Sequence, residues 1–200
     1  MKRPLLLLAA LLLAGSAAAQ DWQELLKKAA TAAIDKATDG KLTQYAIVGT
    51  WGYTGPGVKF ESDDWTSEIG GTALEPAIIS KLESAYALVG IKPGACSFTF
   101  EREGAFTASL GSHNLSGTYE FDASTHVITL HFARGKYDLG SVPGHAYISG
   151  EALQLVFPVN RLVAMIKTLG NKVSKLAALS NLLEKYDNVY IGFRFDKQTS

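Results

Sequence analysis

The chain has little with which to staple itself together. Cys96 is the only cysteine among 200 residues, so no intramolecular disulfide can form and no zinc site can rest on cysteine pairs. Neither charge is in excess, with 19 basic and 19 acidic residues, which argues against the basic stripe that a nucleic-acid partner needs. Beyond its first residues the chain has no apolar run long enough to span a bilayer, no repeat and no low-complexity stretch. It also lacks a Gly-x-Ser-x-Gly nucleophile elbow, a P-loop, and a Gly-x-Gly-x-x-Gly turn after a strand. These absences predict a domain held by its core, with no cofactor and no catalytic constellation.

What is present begins with an export signal. Lys2 and Arg3 precede the apolar run Leu5–Ala14, and Ala17-Ala18-Ala19 supplies the small residues of a cleavage site before Gln20. The run is shorter than the roughly 18–20 residues that cross a bilayer, so residues 1–19 read as a cleaved signal peptide. Ser16 stands where a bacterial lipoprotein carries its lipidated cysteine, and serine cannot form the thioether. A released product, periplasmic or extracellular and without a transmembrane anchor, is expected. Removing nineteen residues leaves 181, a normal size for one domain, and takes two basic charges, giving a net of −2.

An amphipathic helix is expected within residues 20–40, because Trp22, Leu25, Leu26, Ala29, Ala33, Ile34 and Ala37 recur at helical spacing before Gly40. From residue 41 onward the pattern becomes mainly β. Residues 45–53 and 58–61 read as two strands joined by Gly55-Pro56-Gly57. Residues 73–89 then fit a helix, inserted between the second and third strands. Alternating segments at 96–101, 106–110, 115–121 and 127–132 form an antiparallel meander. Two further strands lie near 146–149 and 152–157. A long helical segment opened by Pro158 precedes the last strand, 189–195, and carries Arg161, Lys167, Lys172, Lys175 and Lys185 on its polar side. Eight or nine strands, mostly sequential neighbours, fit an up-and-down antiparallel barrel with added helices, since closure removes exposed edges. A two-sheet sandwich is the alternative.

Gly49-Thr50-Trp51 resembles the Gly-x-Trp signature of lipocalins and related calycin barrels. The wider pattern, from Val48 through Gly55-Pro56-Gly57-Val58 to Gly70-Gly71, is similar to a lipocalin-like family of secreted Bacteroidales proteins. The resemblance implies a barrel whose tryptophan closes the floor. It also implies an arginine from a late strand lying across the indole, for which Arg194 is the candidate. Such a cation–π pair contributes roughly 0.5–2 kcal/mol.

The candidate chemistry is sparse. His126 and His131 are five apart in one predicted strand and so face opposite sides, while His113 and His145 stand at a turn and a strand entry; no metal site is expected. Cys96 shares a face with Phe98 and Phe100 and reads as a buried structural thiol. A binding role for a small apolar or amphipathic ligand is therefore expected, with the 73–89 helix across the barrel mouth. Phe98, Phe100, Phe106, Tyr119 and Phe121, beside the small Ala108 and Gly117, would line the cavity. In the other reading those aromatics fill the interior, and the protein acts through its surface on a protein partner that the sequence does not identify.

Overall fold

The computed structural model describes residues 30–31, 33–37, 39–60, 75–134, 137, 139–169 and 189–198. The expected signal segment, most of the expected N-terminal helix and residues 170–188 of the expected long helical segment lie outside these.

The described residues form eight strands. These are β1 (Gly49–Phe60), β2 (Cys96–Phe100), β3 (Ala105–Leu110), β4 (His113–Asp122), β5 (Val127–Phe132), β6 (Ser141–Ser149), β7 (Ala152–Pro158) and β8 (Val189–Lys197). In β2 and β3 buried positions alternate with more exposed ones. Each strand pairs antiparallel with the next, and β8 returns to β1, so the sheet closes into a barrel. Accompanying it are the helices α1 (Lys41–Ala46), α2 (Glu75–Leu88) and α3 (Val159–Leu169). Residues 33–37 are also helical.

The two strands expected at 45–53 and 58–61 are one. Gly55-Pro56-Gly57 does not turn; it continues β1, and the irregularity is absorbed as a register shift against β8 between Tyr53 and Gly55. Proline is tolerated there because β1 pairs with β2 only through Gly49–Gly52, so beyond Gly52 it is an edge on that side. The inserted helix consequently follows the first strand. At its start β1 is also shorter than expected, because Lys41–Ala46 forms α1.

The inward positions are filled. Phe98 stacks on Phe100 and on Phe106, with ring centroids 5.7 and 6.1 Å away, and takes the edge of Phe195 at 5.5 Å. Gly117 makes room for this stack: a Cβ there would stand 2.9 Å from the Phe106 ring and 2.0 Å from the His131 carbonyl oxygen. At the other end α2 buries Ile78, Leu82, Ala85 and Tyr86. The Tyr86 ring lies 5.4 Å from Phe193, and its hydroxyl donates to the Gly192 carbonyl at 3.0 Å. α3 buries Leu162, Met165, Ile166 and Leu169. Burying each large apolar side chain stabilises by roughly 1.5–3 kcal/mol, and this interior takes the place of covalent bracing.

Candidate functional site

The five residues expected to line a cavity do not share one environment. Phe98, Phe100 and Phe106 are fully buried within the ring stack. Tyr119 is half-buried, its ring edge-on to Phe100 at 5.0 Å and its hydroxyl donating to the Glu101 carbonyl at 2.9 Å. Phe121 is half-buried at the barrel's lower end, 6.1 Å from the His126 ring.

Gly49 and Trp51 lie at the start of β1. Trp51 is buried, and its Nε1 donates to the Ile47 carbonyl at 2.7 Å, closing the floor. The cation over the indole is Lys197, 5.1 Å from the ring, not Arg194. Strand alternation is the reason. Lys197 is the register partner of Trp51, whereas Arg194 pairs with Gly55 and lies between the buried Phe193 and Phe195, facing outward. Lys197 Nζ also donates to the Ala46 carbonyl at 3.1 Å.

Two concentrations of polar groups interrupt the apolar interior. The first, at the floor, joins Asp35, Thr43 and His126, all buried. Asp35 accepts from the Thr43 backbone N–H at 2.8 Å and from its hydroxyl at 2.5 Å. The same hydroxyl accepts the Ile148 N–H at 3.3 Å, tying α1 to β6. His126 Nε2 stands 3.6 Å from Asp35 Oδ2, and its Nδ1 lies 3.3 Å from the Ala146 carbonyl. Every group here is engaged with its neighbours, so the cluster is a structural clamp. Sequence reasoning missed it because Asp35 lies off the apolar stripe of its helix and His126 lies far along the chain.

The second is a cleft of about 640 Å³ in the barrel wall, where β1 parts from β2. Its β1 side presents Gly52, Tyr53 and Thr54, and its opposite side Cys96, Ser97, Ser109 and Gly111. Asp196, Lys197 and Gln198 form the rim. The Gln198 side chain lies over Gly52, its nitrogen 2.5 Å from where a Cβ would stand. Cys96 Sγ accepts the Gly111 N–H at 3.2 Å, which fits the structural role expected of it.

Tyr53 is the unusual member. It is only 4% exposed, its ring edge-on to Phe193 and Phe195 at 6.1 and 6.0 Å. Among the described residues its hydroxyl has no hydrogen-bond partner. Burial pushes its phenol well above the ordinary range, and the neighbouring Cys96 and Glu83 add to the shift. The hydroxyl is therefore protonated at any physiological pH and can donate to a molecule in the cleft. No signal in the sequence marked this place, since it depends on where β1 stops pairing with β2.

Among the described residues no three His, Cys, Asp or Glu side chains are grouped to hold a metal ion. No helix among them is long and apolar enough to cross a membrane.

Comparison with known proteins places the chain against a family model described as "Lipocalin-like domain (DUF4923)", which matches residues 22–197. No curated protein matches. Among solved structures, the chain is similar to a DUF4847 family protein from Bacteroides vulgatus ATCC 8482, solved by crystallography at 1.00 Å. That similarity has 14% identity and a TM-score of 0.42, over 79% of this chain and 99% of the other.

Proposed function

The chain belongs to the lipocalin-like domain family DUF4923, and from that premise we propose that it is an exported, non-catalytic protein that binds a small ligand in the wall cleft beside Tyr53. The observation that carries this reading is the cleft itself. At about 640 Å³ it lies within the roughly 300–1,000 Å³ range of small-molecule sites, and it is lined by Tyr53, whose hydroxyl makes no hydrogen bond among the described residues. A ligand at the barrel centre would have to displace the Phe98, Phe100 and Phe106 stack; one in the cleft displaces only solvent. Export rests on Lys2, Arg3, the apolar run Leu5–Ala14 and Ala17-Ala18-Ala19, and Ser16 speaks for release without a lipid.

The filled interior also favours a second reading, action through the surface on a protein partner. Ile34 and Tyr45, 52% and 78% exposed on the N-terminal helical segments, would be the docking residues.

Native mass spectrometry of protein purified from the exported fraction tests the first reading. The expected result is a mature chain beginning at Gln20 that carries a small molecule lost on denaturation. A chain retained in the cytoplasm with residues 1–19 intact would sink the export reading, and the absence of any bound mass would favour the surface reading.

A further inference from the structure

The chemistry of the cleft wall narrows what it can hold. Hydroxyls of Ser97, Ser109 and Thr54, the Gln198 amide and the Asp196 carboxylate supply hydrogen-bonding groups around the opening. Thr54 already donates its proton to the Arg194 carbonyl at 3.2 Å, which leaves its oxygen free to accept. An alkyl chain laid here would strip water from these groups without replacing its hydrogen bonds, which is unfavourable. An anion would meet the Lys197 ammonium, already on the Ala46 carbonyl and over the Trp51 ring, only beside the Asp196 carboxylate at the rim, which offsets that charge.

We propose that the cleft takes a neutral, hydroxyl-rich ligand of the mono- or disaccharide class, with the Tyr53 hydroxyl as its deepest hydrogen-bonding partner. This rests on the reading of the cleft as the ligand site. A sugar hydroxyl both donates and accepts, so it satisfies the two kinds of group present. It donates to Asp196 and to the Ser and Thr oxygens, and it accepts from Tyr53, whose raised pKa keeps the proton in place. Asp196 and Gln198 are exposed on the rim and can follow the ligand, whereas Tyr53 is fixed between Phe193 and Phe195. Tyr53 therefore sets the depth and orientation of the bound molecule.

The test is a titration of the ¹⁵N-labelled mature protein followed by backbone amide NMR. The probes are maltose, cellobiose and N,N′-diacetylchitobiose, with decanoate and phenylphosphate as the apolar and anionic alternatives. At least one disaccharide is expected to shift the amides of Gly52, Ser97 and Gly111. Tyr53→Phe is expected to weaken that binding about tenfold, the scale of one lost hydrogen bond. Because the hydroxyl makes no hydrogen bond among the described residues, Tyr53→Phe should leave the urea midpoint unchanged, separating a binding role from a folding one. A response to decanoate or phenylphosphate with none to the sugars overturns the ligand class and keeps the cleft as the site. Sugar binding undiminished in Tyr53→Phe overturns the role of Tyr53. Silence of those amides toward every probe overturns both this proposal and the site.

Discussion

Asp35 is buried while Lys36 and Ala37 beside it are exposed, and that burial is tolerable only because Thr43 and His126 surround its carboxylate. Taking one partner from a buried polar pair leaves the others unsatisfied, an effect of about 3 kcal/mol or more. Asp35→Ala should therefore lower unfolding stability by about 3 kcal/mol in urea, while Lys36→Ala changes it by less than about 0.5 kcal/mol. The floor shows both what could be read from single residues and what could not. Trp51 was recognisable from the tripeptide it sits in. Its cation was not, although the information was there: in Phe193-Arg194-Phe195 the alternation that buries both phenylalanines turns Arg194 outward and gives the inward face to Lys197. Asp35 and His126 had no such trace, because nothing local records a contact between residues so far apart.

At the scale of elements, alternation located β2, β3 and β5, where buried residues alternate with more exposed ones. The strands β7 and β8, buried almost throughout, were legible from their apolar, β-branched and aromatic content. Alternation failed at β1, where a Gly-Pro-Gly run that would ordinarily turn is instead held extended by its pairing with β8. The cleft was hidden for the same reason, because the point where two strands part belongs to their pairing and to neither sequence alone. The helix at 73–89 was visible from its apolar spacing, and its manner of attachment was not. α2 docks through Tyr86, buried completely, with its hydroxyl on the Gly192 carbonyl inside the barrel. Tyr86→Phe keeps the ring and removes one hydrogen bond, which typically contributes about 0.5–1.5 kcal/mol. A loss of about 1 kcal/mol is expected in urea unfolding, with faster hydrogen exchange in the α2 amides. Unchanged exchange there would mean that packing alone holds the helix.

The molecule as a whole should respond to acid through His145. Its folded pKa lies below the ordinary imidazole value of 6.5, because burial disfavours the charged ring; a hydrogen bond with the Thr125 backbone opposes this in part, and His126 adds a lesser repulsion. The unfolded chain therefore takes up this proton first, and the folded state loses relative stability as pH falls through about 6.5. Above that range the contribution is fully present. Chemical unfolding at pH 8, 6.5 and 5 should show a declining free energy, and His145→Gln should make the decline shallower. An equal slope in the variant would assign the acid sensitivity elsewhere.

The seam between β1 and β8 is the barrel's longest, and it joins residues as distant as Thr54 and Arg194, 140 positions apart. The first strand to be synthesised therefore waits for the last. Until Val189–Lys197 arrives, β1 and β7 are two raw edges with no partner, the condition in which strands recruit strands from other molecules. Contacts of such long sequence separation also slow folding, because the ends must meet before any of their pairing can form. Ring closure is thus the step at which β1, β7 and β8 cover one another's edges.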